Sequence, residues 1–275
     1  MDGFFLIDKP AGYTSFDVCA CTKKHCNIKK VGHTGTLDPF ATGLLVVAVG
    51  KGTKCIPYLE KASKTYLATI VLGKTSETLD TESEIVELAN KRFEEDATQE
   101  DIQKVIDEDF IGEIDQIPPK YSALKINGKR AYDLARQGIE VEMKVRKTFV
   151  HRCDIVSYTY PELKVELEVS AGFYVRSFAR DMGGYCSELR RTKVGDLDIA
   201  DAEDIKGLTM PIDPQYILKN LQHIEIKTGN IQDFMSGRAF PCPGVQGERV
   251  LVLCGGQSVG IGEFVDGNLQ PRGVL

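Results

Sequence analysis

"VGHTGTLDPFATGLLVVAVGKGTK", residues 31–54, joins a glycine- and threonine-rich turn carrying one aspartate, Asp38, to a continuous apolar run closed again by glycine. A run of that length between glycines reads as a buried strand. Pro39 disfavours the helical region for Asp38 and biases it toward extended backbone, from which its side chain projects off the strand end. Several chemistries place an aspartate on such a turn. A phosphate-binding loop needs the spacing G-x-x-x-x-G-K-[ST], which is absent, so nucleotide hydrolysis is not expected. Metal ligation needs further carboxylates or histidines nearby, and only His33 is local. A paired-carboxylate hydrolase needs a second acid that the sequence does not single out. A lone carboxylate acting as nucleophile or base, and a structural Asx-turn, both remain open on this chemistry alone.

Upstream, "GFFLIDKPAGYTS" (3–15) reads as a short strand, a turn and a helix opened by Ser15. Downstream, "KTYLATIVLG" (64–73) alternates, with Tyr66, Ala68, Ile70 and Leu72 on one face, as in a sheet strand. In "TQEDIQKVIDEDFIG" (98–112), Thr98 and Asp101 form a capping box, and Ile102, Val105, Ile106 and Phe110 fall at helical spacing. Asn127-Gly128 suits a type I′ turn, and Gly138 suits the end of a short helix. "KVELEVSAGFYVRSFARDMGGYC" (164–186) reads as a strand, a small-residue turn and a helix, which puts Leu189 at the end of a helical stretch. From about His223 the chain becomes short strands with a tight turn at Asp266-Gly267. Strands with helices at irregular spacing predict an α+β protein rather than a βαβ repeat.

The net charge of −6 averages three unequal blocks. Residues 19–64 hold eight basic against two acidic side chains, and residues 120–152 hold nine against three. Residues 82–115 hold three basic against thirteen acidic. Such segregation predicts one face for an anionic partner and another that repels it. The eight cysteines form no CxxC pair or zinc spacing and read as free thiols of a reducing compartment. No apolar run approaches a membrane span and no signal peptide is visible, so a cytoplasmic protein without a membrane partner is expected.

Taken together, the stretches form an ordered set. "VGHTGTLDPFATGLLVVAVGKGTK" resembles the active-site motif of the TruB family of pseudouridine synthases. "IDKPAGYTS" is similar to that family's opening motif, "KTYLATIVLGKTSETLDTES" to its tyrosine-bearing strand, and "IPPKYSALKINGKRAYDLARQGIEVE" to its RNA-gripping insertion. "VSAGFYVRSFARDMG" and then "LRRTKVGDL" follow in family order, so the resemblance spans residues 3 to about 197.

The resemblance implies a pseudouridine synthase fold, a mixed and largely antiparallel sheet flanked by helices. The catalytic domain would cover 1–222, with the insertion at about 116–148, and a short β-rich PUA-like RNA-binding module would cover 223–275. It implies isomerisation of uridine 55 in the T-loop of tRNA by a monomer, with no metal, no organic cofactor and no obligatory protein partner. Asp38 would be the nucleophile, attacking either ring C6 or ribose C1′. Arg176 would pair with it, and Tyr66 would stack on the flipped base. Tyr174 and Leu189 would wall the pocket, and His33 would take the stacking place of extruded nucleotides. Lys9, in the opening motif, would belong to the substrate-binding side as a support of the active-site loop. Two further readings stand beside this one. A subunit of a guide-RNA particle predicts a larger PUA domain and basic extensions, and an inactive RNA-binding or tRNA-folding protein tolerates loss of Asp38.

Overall fold

The computed structural model describes residues 1–122, 124–126, 128–139 and 142–275. Of the expected turn at Asn127-Gly128, Asn127 lies outside the described residues, and Gly128 takes a positive φ of 83°. Along the chain, β1 (Gly3–Lys9) leads into α1 (Ser15–Cys26), β2 (Val31–His33), β3 (Thr42–Val49), α2 (Ile56–Glu60) and β4 (Lys64–Leu72). A small hairpin, β5 (Lys74–Ser76) and β6 (Ile85–Glu87), precedes α3 (Gln99–Asp109) and β7 (Gly112–Gln116). The insertion holds β8 (Lys125–Ile126), β9 (Lys129–Arg130) and α4 (Ala131–Arg136). Next come β10 (Arg146–Thr159), β11 (Glu162–Val169), α5 (Val175–Asp181), β12 (Gly184–Val194), β13 (Leu197–Asp198), β14 (Glu203–Asp204) and α6 (Pro214–Ile217). The remainder is β15 (Gln222–Glu225), α7 (Ile231–Met235), β16 (Phe240–Pro241), β17 (Arg249–Cys254), β18 (Gln257–Val265) and β19 (Asn268–Val274).

The main sheet runs β14-β1-β3-β12-β4-β11-β10-β7, mostly antiparallel, with β12 parallel to β3. The apolar run that opened the sequence has a structural reason. β1 and β3 are covered on both faces, so neither face can be polar. Phe5, Ile7, Leu45 and Val47 enter the core shared with α1, α3 and α5. Phe4, Leu6, Leu44 and Val46 enter a second core with Ile217, Leu251 and Ile261, which joins the main sheet to the C-terminal strands. β4 keeps the alternation read from its sequence, with Tyr66, Ala68, Ile70 and Leu72 buried.

Helix α3 begins at the predicted capping box, Thr98 accepting from the Asp101 amide while Asp101 accepts from that of Thr98. Helix α1 is capped by Thr14, with Asp17 completing a second box, and not by Ser15. The hydroxyl of Ser15 is committed elsewhere, as described below. Helix α5 is also shorter than its sequence predicts. It stops at Asp181, because Gly183 takes a positive φ of 79° and Gly184 has the Val71 carbonyl where a Cβ would stand. The chain turns straight into β12, so Leu189 lies on a strand and not on a helix.

The C-terminal strands form a separate sheet, β15-β17-β18-β19-β16, around Phe234, Val250, Val252 and Leu269. Its β18–β19 turn has positive φ at both Asp266 and Gly267, the backbone an Asp-Gly turn of type I′ requires. The eight cysteines are free thiols. No helix among the described residues is long and apolar enough to cross a membrane.

Candidate active site

The register of the central strands builds the site. Arg191 on β12 stands opposite Gly43 on β3 and Tyr66 on β4, so one row across three strands ends beneath the turn that carries Asp38. Gly43 has to be glycine, because φ is +101° and a Cβ would sit 2.3 Å from the Arg191 carbonyl oxygen.

The turn is fastened from several sides. Ser15 Oγ donates to the Leu37 carbonyl at 3.1 Å and accepts from the Leu37 amide at 2.8 Å. The Gly12 amide donates to Pro39 O, and the Ala41 amide to Asp38 O. Leu37 and Ala41 are buried on either side of Asp38 and hold it like two pegs. Lys9, expected on the substrate side, is fully buried under this turn and donates to the carbonyls of Pro10, Tyr13 and Pro39. Its ammonium therefore meets backbone rather than a ligand, and burial pulls its pKa down to about 8.

Asp38 is 30% exposed, and its Oδ1 accepts from Arg176 Nη2 at 2.8 Å. Arg176, in the first turn of α5, is only 4% exposed and holds four acceptors: Asp38, Asp80 at 3.1 Å, and the carbonyls of Thr78 and Tyr121. A planar fork of donors can serve several acceptors at once, which an ammonium cannot do in that geometry. Burial pushes the Asp38 carboxyl above its ordinary value, the Arg176 guanidinium pulls it back, and the charge of Asp80 adds to the rise.

The helix start that delivers Arg176 is itself clamped. The Gln116 side chain, wholly buried at the end of β7, donates to Tyr174 O and accepts from Tyr174 N. Asp80 and Gln116 were not singled out from the sequence. Asp80 was hidden in the acidic run "SETLDTES". It is fully buried, and its Oδ1 is bonded to the Thr78 hydroxyl and the Glu82 amide. A lone acid in a run of acids carries no signal of burial. The signal for Gln116 was a polar residue closing a strand before two prolines.

Asp38, Tyr66, Tyr174, Arg176 and Leu189 line one cavity of about 480 Å³, together with Thr34, Lys64, Ser122, Phe173 and Arg191. That volume is in the range of pockets that enclose a small molecule. Burial raises the Tyr174 phenol, so it stays protonated. His33 ends β2, outside the lining residues. It is half-buried, with Nδ1 accepting from the Gly35 amide, and burial together with Arg191 lowers its pKa, so the ring is neutral near pH 7. Among the described residues no group of three or more His, Cys, Asp or Glu is arranged to hold a metal ion.

A half-buried carboxylate on a strand-entry turn, locked to an arginine beside two tyrosines, defines a pocket that presents one anion and aromatic side chains to a small organic ligand. The comparisons agree with that class. The family model for the TruB family pseudouridylate synthase, N-terminal domain, matches residues 23–175. The tRNA pseudouridine synthase B of Azoarcus sp. (strain BH72) is 35% identical, over 100% of this chain and 95% of its own. That of Aquifex aeolicus (strain VF5) is 34% identical over the whole of both chains, and that of Clostridium kluyveri is 40% identical over 82% of this chain and 86% of its own. A crystal structure of a Cbf5-Nop10-Gar1 complex superposes with a TM-score of 0.72 at 23% identity, covering 99% of this chain and 84% of that one. The chain belongs to the TruB family of pseudouridylate synthases.

Proposed function

We propose that this protein isomerises a uridine of tRNA to pseudouridine, at position 55 of the T-loop, with Asp38 as the nucleophile. The observation that carries the reading is the Asp38–Arg176 pair in a cavity walled by Tyr66, Tyr174 and Leu189. The reaction breaks the N1–C1′ bond, joins C5 to C1′, releases the C5 proton and leaves a proton on N1, so no electrons are exchanged with a partner. Attack on C6 or on C1′ needs an ionised carboxylate, and Arg176 favours that form. Tyr66, buried on β4, would stack on the base and take part in moving the C5 proton. His33, neutral and half-buried at the rim of the turn, would replace the extruded nucleotides in the loop stack. Lys9 would act through the turn it supports.

The substrate would be gripped by the 116–148 insertion on the catalytic domain, 1–222, with 223–275 as a second RNA contact. Free thiols and no disulfide fit a cytoplasmic protein, which we read as a monomer working without an obligatory protein partner. Tritium release from C5-labelled uridine in tRNA transcripts is the direct test. Release at one T-loop uridine is expected, and no release from any tRNA or isolated T-arm overturns the reading.

A further inference from the structure

Arg191 is 1% exposed and is among the largest fully buried side chains of the described residues. Its Nε donates to Leu44 O at 2.7 Å and its Nη2 to Gly35 O at 3.1 Å, and among the described residues it meets no carboxylate. Lys64, also buried, donates to the carbonyls of Glu60 and Ala62, both at 2.6 Å, and likewise forms no ion pair. The two converge on the catalytic turn. A Cβ on Gly35 would lie 3.6 Å from Arg191 Nη1 and 4.0 Å from Lys64 Cε. Both line the catalytic cavity, whose acids are Asp38, already paired with Arg176, and the exposed Glu60.

Carbonyl oxygens need only a neutral donor, and a glutamine would serve them. Two adjacent buried cations with no protein anion between them among the described residues repel each other, and an entering anion removes the penalty. Burial and the charge of Arg191 already depress the Lys64 ammonium to about 8. Among the described residues Nη1 of Arg191 has no protein acceptor, and Lys64 uses two of its three N–H donors.

We propose that Arg191 and Lys64 form an oxyanion subsite within the catalytic cavity that holds a phosphodiester group flanking the target uridine. The identity of the polymer rests on the reading under Proposed function, while the oxyanion chemistry does not. Gripping a phosphate beside the uridine fixes where the flipped nucleotide sits relative to Asp38.

The test uses T-arm RNA carrying a single neutral methylphosphonate, 5′ or 3′ of the target uridine. The wild type is expected to lose about tenfold or more in kcat/KM at one of the two positions, the loss of a charge-assisted hydrogen bond. Lys64→Gln and Arg191→Gln should lose a similar factor on unmodified RNA and nothing further on that modified RNA. Arg190→Gln, whose arginine pairs with Asp8 outside the cavity, should keep the wild-type sensitivity. Within the protein Lys64 bonds only the nearby carbonyls of Glu60 and Ala62 among the described residues, which a glutamine can also meet, so Lys64→Gln carries the test if Arg191→Gln does not fold. Methylphosphonates that leave the wild type within twofold, or losses that multiply, overturn the proposal even when unmodified RNA is converted. In a second arm, inorganic phosphate is titrated into the free protein while the Lys64 ammonium is followed by NMR. A rise from about 8 supports the oxyanion site whether or not any RNA is converted, and no change overturns it. A rise with silent methylphosphonates assigns the site to free phosphate and overturns the phosphodiester.

Discussion

Arg176 and Arg191 are both almost completely buried and line the same cavity, yet their surroundings are opposite. Arg176 lies between two carboxylates, whereas Arg191, among the described residues, meets backbone carbonyls only. One charge is spent inside the protein to hold an anion in place; the other is left for what enters. Burial alone therefore says little about what an arginine does, and its acceptors say a great deal. The strongest way to break the comparison is at the anion itself. Asp38→Asn keeps the shape of the side chain and removes the proposed nucleophile. Tritium release should fall by at least about a thousandfold while T-arm affinity stays within about threefold. Residual turnover above a hundredth of wild type would take the nucleophile away from Asp38.

The second prediction weighs the two arginines against each other in stability. Arg176→Met strands the fully buried Asp80 and the half-buried Asp38 and should cost about 3–5 kcal/mol at neutral pH. Arg191→Met strands two carbonyls but also removes an unpaired charge, so it should cost about 1–2 kcal/mol. Urea unfolding separates them. In Arg176→Met the folded-state pKa of Asp38, already raised by burial, loses the opposing pull of the guanidinium and stands further above the unfolded value. Its deficit is therefore full above that folded value and shrinks as pH falls through it. Equal deficits in the two variants, or a pH-independent one in Arg176→Met, would undo the contrast.

The same electrostatics set a smaller effect on rate. As the proposed nucleophile Asp38 has to be ionised, and burial raises its pKa, so kcat/KM should fall on the acid side at a higher pH than an ordinary carboxylate would give. Because the charge of Asp80 adds to that rise, Asp80→Asn should move the acid limb to lower pH. Its plateau should also drop, by about tenfold, as Arg176 loses one of its anchors. An acid limb that stays put or moves upward would mean that Asp80 does not act on Asp38 electrostatically.

Much of this contrast could be read in the sequence on the Arg176 side and little of it on the other. Asp38, Tyr66, Tyr174, Arg176 and Leu189 came from ordered motifs, and one cavity gathers them. The buried run 44–49 and the alternation of β4 were plain because burial on two faces or one leaves a periodic trace in residue type. Asp80 and Arg191 left no such trace. Each sits among residues of its own charge, "SETLDTES" and "LRRTK", and only the fold decides which member turns inward. Leu189 was placed on a helix for the same kind of reason. The stop at Gly183-Gly184 depends on how closely the Val71 carbonyl approaches, which is a tertiary fact.

The smallest effect concerns how the catalytic turn is held. Arg191 grips it from β12 at Gly35, and Ser15 grips it from α1 at Leu37. Ser15→Ala removes both bonds to Leu37 and should cost about 1–2 kcal/mol. Thr98→Ala removes the cap of α3, far along the chain from the turn, and should cost about 1 kcal/mol. The two variants are thus similar in stability, and activity distinguishes them. Asp38 follows Leu37 directly, so loosening the Leu37 clamp spreads the positions its carboxylate samples. Turnover should then drop by a few fold, with KM little changed. Thr98→Ala should keep full turnover once folded. If Ser15→Ala also keeps full turnover, the other grips on the turn, from Arg191, Lys9 and Arg176, suffice to place Asp38, and the Ser15 clamp is a matter of stability only.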